Sequence, residues 1–413
     1  MTDVELGRLL LGLVALLSMA LLCGRVFERL AMPQVVGEIV GGLILGPSVL
    51  GLIFPDIYAW AFQAFPAQAA LLSAFYWMGL ILLMFVAGFR IQRELTADDR
   101  RDVAVMLGSS IVFPMLGGWF LTELLDSGRM MSPGANPFSF HLVLAIATAV
   151  TSIPVISRIF LDLNLMGTRF AKVVLMTATL QDLVLWTALA IATGLNSAKG
   201  AEPSSIATII AATLIFIALS VALGPALLKR VGHWAPIRRD TSALVGYALL
   251  VCFALTSIAS LLHINVVFGA LIAGIVIGTF PNEQFAEVRQ RIADVALWFF
   301  VPIYFAVVGL KIDLPRQFDL ENVVVFIVAS SILKFASVAV ALALSGKPLS
   351  ACFNYGVAMN TRGGPGIVLA SVALAFGIIT ESFFVTLVLA SIITSLVTGI
   401  WLRIAIRLRH SFD

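Results

Sequence analysis

Charge is what this chain has least of. Only 12% of its 413 residues are Asp, Glu, Lys or Arg, against 60% hydrophobic. A soluble domain carries about 25% charged residues, so the composition excludes a large soluble protein and implies a membrane protein. The net charge of +3 is too small to point to nucleic acid, and the basic residues lie in short clusters between apolar runs. Cysteine is scarce as well. Cys23, Cys252 and Cys352 sit far apart inside apolar runs, which excludes a disulfide framework and a zinc site. His141, His233, His263 and His410 form no HExxH pair, and no GxSG motif occurs, so neither a zinc nor a serine protease is supported. An intramembrane aspartyl protease needs two core aspartates, and the hydrophobic centres offer only Asp182. Eleven residues follow Leu402, with no GxGxxG among them, so no nucleotide-binding domain is expected there.

What is present is a series of apolar runs. Hydropathy predicts thirteen spans, at roughly 4–24, 33–50, 67–89, 102–125, 139–160, 170–193, 204–228, 242–262, 265–280, 294–310, 322–344, 352–376 and 380–402. The first has no small-residue cleavage site near Leu22-Cys23-Gly24-Arg25 and is read as an uncleaved span. The chain is thus expected to be an all-α polytopic unit over 1–402 with a short tail at 403–413. With the N-terminus outside, nineteen Lys and Arg fall in cytoplasmic segments, including Arg25, Arg29, Arg90, Arg93, Arg100, Arg101, Arg158, Arg169, Lys172, Lys229, Arg230, Arg238, Arg239 and Lys347. Five fall outside: Arg8, Arg129, Lys199, Lys311 and Arg316. Positive charge accumulates on the cytoplasmic side, so the N-terminus is expected outside and the C-terminus inside.

Asp182 is the only acid in the run from about Phe170 to Thr193. With roughly 12 residues on each side at ~1.5 Å rise, its short side chain cannot reach bulk water. A carboxylate at such depth costs roughly 2.5–3.5 kcal/mol on insertion scales. It is either a structural Asp capped by neighbouring helices or an ion or proton site. Lys334, near the centre of 322–344, cannot snorkel out over the ~6 Å its stem allows. It needs a partner, with Asp182 and Gln181 the candidates, or must be neutral. Arg362 cannot shed its proton and must find carbonyls or a carboxylate, either bracing the chain around it or gating. Glu38, in the short second span, either lines a cytoplasmic funnel or bonds a neighbouring backbone.

The two halves resemble each other. FVAGFRI (85–91) matches AVVGLKI (306–312), and PQVVGEIVGGLILG (33–46) matches INVVFGALIAGIVIG (264–278). Each pair is seven spans apart, and an odd offset reverses direction, so the repeats over spans 2–6 and 9–13 are inverted. The repeat also pairs ATAVTSIPVIS (147–157) with VAMNTRGGPGIV (357–368), where Pro154 and Gly363-Gly364-Pro365 interrupt both helices. Such paired interruptions point to a transporter's midplane site. Freed carbonyls there, with the hydroxyls of Thr148, Thr151, Ser152 and Thr361, suit a hard monovalent cation.

These residues are similar to those of the monovalent cation:proton antiporter superfamily, in the branch holding Kef-type potassium/proton antiporters and plant cation/proton exchangers. The resemblance runs through LAMPQVVGEIVGGLILGPSVLG (30–51), MGLILLMFVAGFRI (78–91), TSIPVISRIF (151–160), TATLQDLVLW (177–186) and MNTRGGPGIV (359–368). It implies two crossing broken helices in a core around 102–193 and 322–402, a dimer scaffold from the remaining spans, and a homodimer in the cell membrane. It implies monovalent cation exchange for protons at Asp182, with no cofactor. The Gln181-Asp182 pairing is that of Kef-type members and favours potassium over sodium. Lys334 matches a lysine that pairs with the first acid of two-acid members, which Gln181 cannot do as an ion pair. No soluble regulatory domain of the Kef type is expected from this sequence, and a separate regulatory subunit would have room beside the short tail. Two other readings share these features: a cation channel, and a proton-coupled exporter of an organic substrate with Phe160, Trp186 and Trp298 lining a pocket.

Overall fold

Proline and glycine decide where the apolar runs remain helical and where they stop. The computed structural model describes the chain except residues 1, 31, 90–96, 124, 126, 198–210, 217, 221, 223, 225–240, 263, 265, 280–282 and 409–413. Most of the expected span 204–228 lies outside the described residues, as do Arg90, Arg93, Lys199, Lys229, Arg230, Arg238, Arg239, Arg409, three of the histidines and the end of the tail. In chain order the helices are α1 (Asp3–Arg29), α2 (Gln34–Leu45), α3 (Leu50–Ile53), α4 (Pro55–Phe62), α5 (Gln68–Gly88), α6 (Ala97–Leu121) and α7 (Ser127–Met130). Then come α8 (Pro137–Ala149), α9 (Ile153–Asp162), α10 (Arg169–Ser197), α11 (Thr241–Leu261), α12 (Val266–Gly278) and α13 (Glu283–Val295). The chain continues with α14 (Val301–Leu310), α15 (Leu314–Gln317), α16 (Leu320–Leu344), α17 (Leu349–Met359), α18 (Gly363–Ala375) and α19 (Glu381–Arg407). Among the described residues the only β-pairing is an isolated bridge between Met131 and Ile379.

Nine helical segments of the described residues are long and apolar enough to cross a membrane. Two expected spans are split in the middle, 139–160 into α8 and α9 and 352–376 into α17 and α18. The expected span 265–280 is the short α12. Between α13 and α14 lies a π turn, Ala296–Phe300. Pro302 accounts for it: with no N–H for the carbonyl four residues back, and a ring that crowds it, the preceding turn widens.

The chain folds into two compact units. The first holds Met1–Arg25, Gly37–Arg93 and Gly200–Ile312, and the second Val26–Val36, Glu94–Lys199 and Asp313–Asp413. In the first unit several glycines let backbones touch, and four of them form matched contacts. A Cβ at Gly42 would overlap the Ala306 carbonyl, and one at Gly274 would overlap that of Phe85. Likewise a Cβ at Gly309 would overlap the Ile39 carbonyl, and one at Gly88 that of Leu271. The internal repeat aligns 39 with 271, 42 with 274, 85 with 306 and 88 with 309. Thus α2 on α14 and α5 on α12 are one contact made twice with the halves exchanged, as inverted repeats require. In the same unit Lys311 Nζ lies 4.2 Å from the centre of the Tyr76 ring, which packs against Tyr304.

Side chains at these crossings have nowhere to go. Gly309→Val is expected to cost the folded protein about 1–3 kcal/mol or more through overpacking. Gly246→Val on α11, where nothing lies within 4 Å of the added carbon, is expected to be neutral. Thermal unfolding of the detergent-purified variants reads the difference.

Candidate functional site

Every residue of the midplane cluster belongs to the second unit. Asn136 starts α8 by accepting the N–H of Phe138 at 2.9 Å, with Pro137 in the first turn. The helix runs to Ala149, and Val150 is extended (φ −61°, ψ 142°) before α9 resumes at Ile153. In the other half α17 ends at Met359 and α18 begins at Gly363, whose φ of +43° suits glycine. A Cβ there would also press into Ser152 and Val155. The two interruptions are bonded to each other. Ser152 donates its backbone N–H to the Thr361 carbonyl, and Thr151 Oγ1 donates to the Met359 carbonyl at 2.7 Å.

Buried hydroxyls of α19 support the second interruption. Thr394 Oγ1 accepts the Arg362 backbone N–H at 3.3 Å, Thr361 Oγ1 donates to Thr398 Oγ1 at 3.0 Å, and Thr398 Oγ1 donates to the Val357 carbonyl at 3.2 Å. Several backbone groups at the break are thereby partnered from within the protein.

Interruptions also release carbonyls, and two of these organise the site. The break after Ala149 leaves its carbonyl without the helical donor it would otherwise have. Pro114, inside α6, has no N–H for the carbonyl of Ser110. Lys334, wholly buried on α16, donates Nζ to both, to Ser110 O at 2.9 Å and to Ala149 O. Gln181 Nε2, from α10, donates to the same pair, to Ala149 O and to Ser110 O at 3.4 Å. The ammonium is therefore tethered by backbone dipoles, where a carboxylate or the Gln181 side chain was the expected partner. A cation at the C-terminal end of a half-helix also matches the sign of its dipole.

Asp182 is half-buried. Its Oδ1 is enclosed and has no hydrogen-bond partner among the described residues, and the same holds for Gln181 Oε1. Asp182 interacts electrostatically with Lys334, with no direct ion pair between them among the described residues. Two enclosed acceptor oxygens on consecutive residues lack a donor. Buried acceptors are costly unless a proton, a donor or a cation reaches them.

Arg362 is buried at the start of α18. Its guanidinium donates to Ser330 Oγ at 2.8 Å and to Asn360 Oδ1 at 3.3 Å, and lies 5.5 Å from the centre of the Phe326 ring. These contacts join α16 to the interruption, a bracing arrangement. Thr148 Oγ1 donates to the carbonyls of Pro114 at 2.6 Å and Ala145 at 2.7 Å, while Ser152 Oγ accepts from Val155 N at 3.4 Å. At the starts of α6 and α10, Asp99 and Asp102 pair with Arg169, Lys172 and Lys347 over 2.7–3.2 Å.

Several expected residues stand elsewhere. Glu38 is buried in the first unit, on α2. Phe160 is packed on Phe170 in the apolar core, and Trp298, in the first unit, is 59% exposed on the π turn. Trp298 thus belongs to a different unit from Phe160 and Trp186. Sequence reading missed Pro114, Ser110, Ser330 and the α19 hydroxyls. A proline within the span 102–125 was the available signal for the first two.

The transmembrane sodium/hydrogen exchanger family model matches residues 15–408. The chain is 27% identical over 383 residues to the Na(+)/H(+)-K(+) antiporter GerN of Bacillus cereus, covering 91% of each chain. It is 28% identical over 401 residues to the Na(+)/H(+) antiporter NhaS4 of Synechocystis, covering 95% of each. The solved structure of the sodium proton antiporter MjNhaP1 from Methanocaldococcus jannaschii superposes with a TM-score of 0.65, 17% identity and 96% coverage of both chains, a likeness of fold.

Removing the ammonium leaves two carbonyls short of a charged donor. Lys334→Ala is therefore expected to lower stability by about 1–3 kcal/mol, seen as a lower midpoint in thermal unfolding.

Proposed function

The chain belongs to the sodium/hydrogen exchanger family, and we infer from this that it is a secondary transporter exchanging a monovalent cation for protons, not an enzyme. We propose that Asp182 is where the two compete and that potassium or sodium is the cargo. The observation carrying this is the pair of enclosed, unpartnered oxygens, Asp182 Oδ1 and Gln181 Oε1. With Asp182 ionised, a cation completes them; with Asp182 protonated, the carboxyl is neutral and the cation leaves. An empty charged site is costly in the membrane, so the unit crosses loaded with one or the other. Thr148, Thr151 and Ser152 keep oxygen lone pairs near the interruption that can assist the cation.

The stoichiometry follows from which groups titrate. Lys334 and Arg362 are held by carbonyls, a hydroxyl and an amide, and neither is proposed to exchange a proton during the cycle. Only Asp182 then changes partner, and one cation exchanges for one proton without net charge. The transporter works as a homodimer in the cell membrane, N-terminus outside, with alternating access produced by movement of the Asp182-bearing unit. Glu38 is proposed to line the cytoplasmic approach.

A channel would pass ions without proton coupling, and an organic-substrate exporter would respond to organic cations. Dye-reported proton release from proteoliposomes on adding potassium, sodium or an organic cation separates these readings. Release with potassium or sodium is expected, and a response only to the organic cation rules the proposal out. Asp182→Asn should abolish release while leaving folded dimers; Lys334→Ala should retain most of it. On solid-supported membranes no sustained, voltage-dependent current is expected, and such a current would refute neutral exchange.

A further inference from the structure

Pro114 is buried in α6, and its ring nitrogen is the reason the Ser110 carbonyl is available. With any other residue at 114, a backbone N–H would stand one helical turn from that carbonyl and satisfy it within α6. The carbonyl instead accepts Lys334 Nζ at 2.9 Å and Gln181 Nε2 at 3.4 Å. The Pro114 carbonyl in turn accepts the Thr148 hydroxyl at 2.6 Å, tying the same turn of α6 to α8 just before the break. A Cβ on Gly118 would run into Thr148, so α6 and α8 meet here at backbone distance.

We propose that Pro114 is a positioning residue that reserves the Ser110 carbonyl for Lys334 and thereby keeps the ammonium off Asp182, setting the cation affinity of the site. The proposal rests on Asp182 as the exchange site. An ammonium has three donors and seeks acceptors. Where it has both the Ser110 and the Ala149 carbonyls, two of the three are met by backbone, and the Asp182 carboxylate is left to cargo. Where a backbone N–H competes for the Ser110 carbonyl, the charged acceptor open to Lys334 is Asp182, with which it already interacts electrostatically. A direct ion pair would then compete with every entering cation. Pro114 touches neither cargo nor carboxylate; it acts through a carbonyl and an ammonium.

The test is a double-mutant cycle on purified, reconstituted protein, with KM for potassium and for sodium and the maximal rate both measured per folded molecule. Pro114→Ala and Pro114→Val each supply the backbone N–H and differ in side-chain volume. Both are expected to raise KM about fivefold, the equivalent of one hydrogen bond near 1 kcal/mol, with the maximal rate little changed. In the Lys334→Met background, with no ammonium to redirect, the same substitutions are expected to leave KM where Lys334→Met alone puts it. An unchanged KM in Pro114→Ala, an equal rise with and without Lys334, or opposite effects of Ala and Val would each overturn the proposal. Failure of both single variants to fold would also overturn it, since it requires that α6 accept a donor at 114. If the wild-type protein shows no cation-driven proton release, the exchange reading fails; if it does and the cycle shows no coupling, only the role of Pro114 fails.

Discussion

A backbone carbonyl released inside a bilayer must find a donor from within the protein, because no water is there to supply one. This constraint shapes the second unit. Three interruptions release backbone groups, at Pro114, after Ala149 and between Met359 and Gly363. Each is answered from another helix: Lys334 and Gln181 for the first two, the hydroxyls of α19 and the Ser152 N–H for the third. The charged residues in the membrane interior are therefore not simply charges awaiting opposite charges. Lys334 and Arg362 are also the donors that let an α-helical protein hold non-helical backbone at that depth.

The first unit solves a different problem with the same symmetry. Its crossings are glycine against carbonyl, made twice with the halves exchanged. Backbones that meet this closely gain dispersion contacts and leave no side chain free to swing, which suits a part of the molecule that holds its shape. Among the described residues no buried Lys or Arg lies at these glycine crossings, whereas the second unit keeps Lys334 and Arg362 in its interior.

Much of this was legible in the residues. A lone acid in a long apolar run singles out Asp182, Pro154 and the Gly363-Gly364-Pro365 run mark the two breaks, and the repeat offset that relates 42 to 274 also relates their contacts. The partner of Lys334 was not legible, and the reason is physical. Charge is sought by charge when only a sequence is read, while in a folded protein a carbonyl freed by a proline is an equally good acceptor. That carbonyl lies 224 residues from the lysine, a distance over which no local pattern reports. Pro114 itself was visible, but prolines are common in membrane helices and its consequence exists only once α16 and α10 are packed beside it.

Tethering the ammonium to carbonyls changes what the acid can do. In a direct ion pair, a lysine neutralises its carboxylate, and a cation can enter only by displacing it. Two carbonyl dipoles hold the same ammonium without consuming the negative charge of Asp182, which, if it is the exchange site proposed above, is left to cargo or a proton. Gln181 fits this arrangement in a way an acid would not. Its amide nitrogen shares the lysine's acceptors while its oxygen remains an enclosed, uncharged acceptor. A carboxylate at 181 would draw Lys334 from the carbonyls and add a second titrating group, making the charge moved per cycle depend on the lysine. With glutamine there, the backbone holds the lysine, and on the proposed reading of Asp182 as the exchange site the transported species alone would settle the charge of the acid, which is why the proposed exchange is electroneutral.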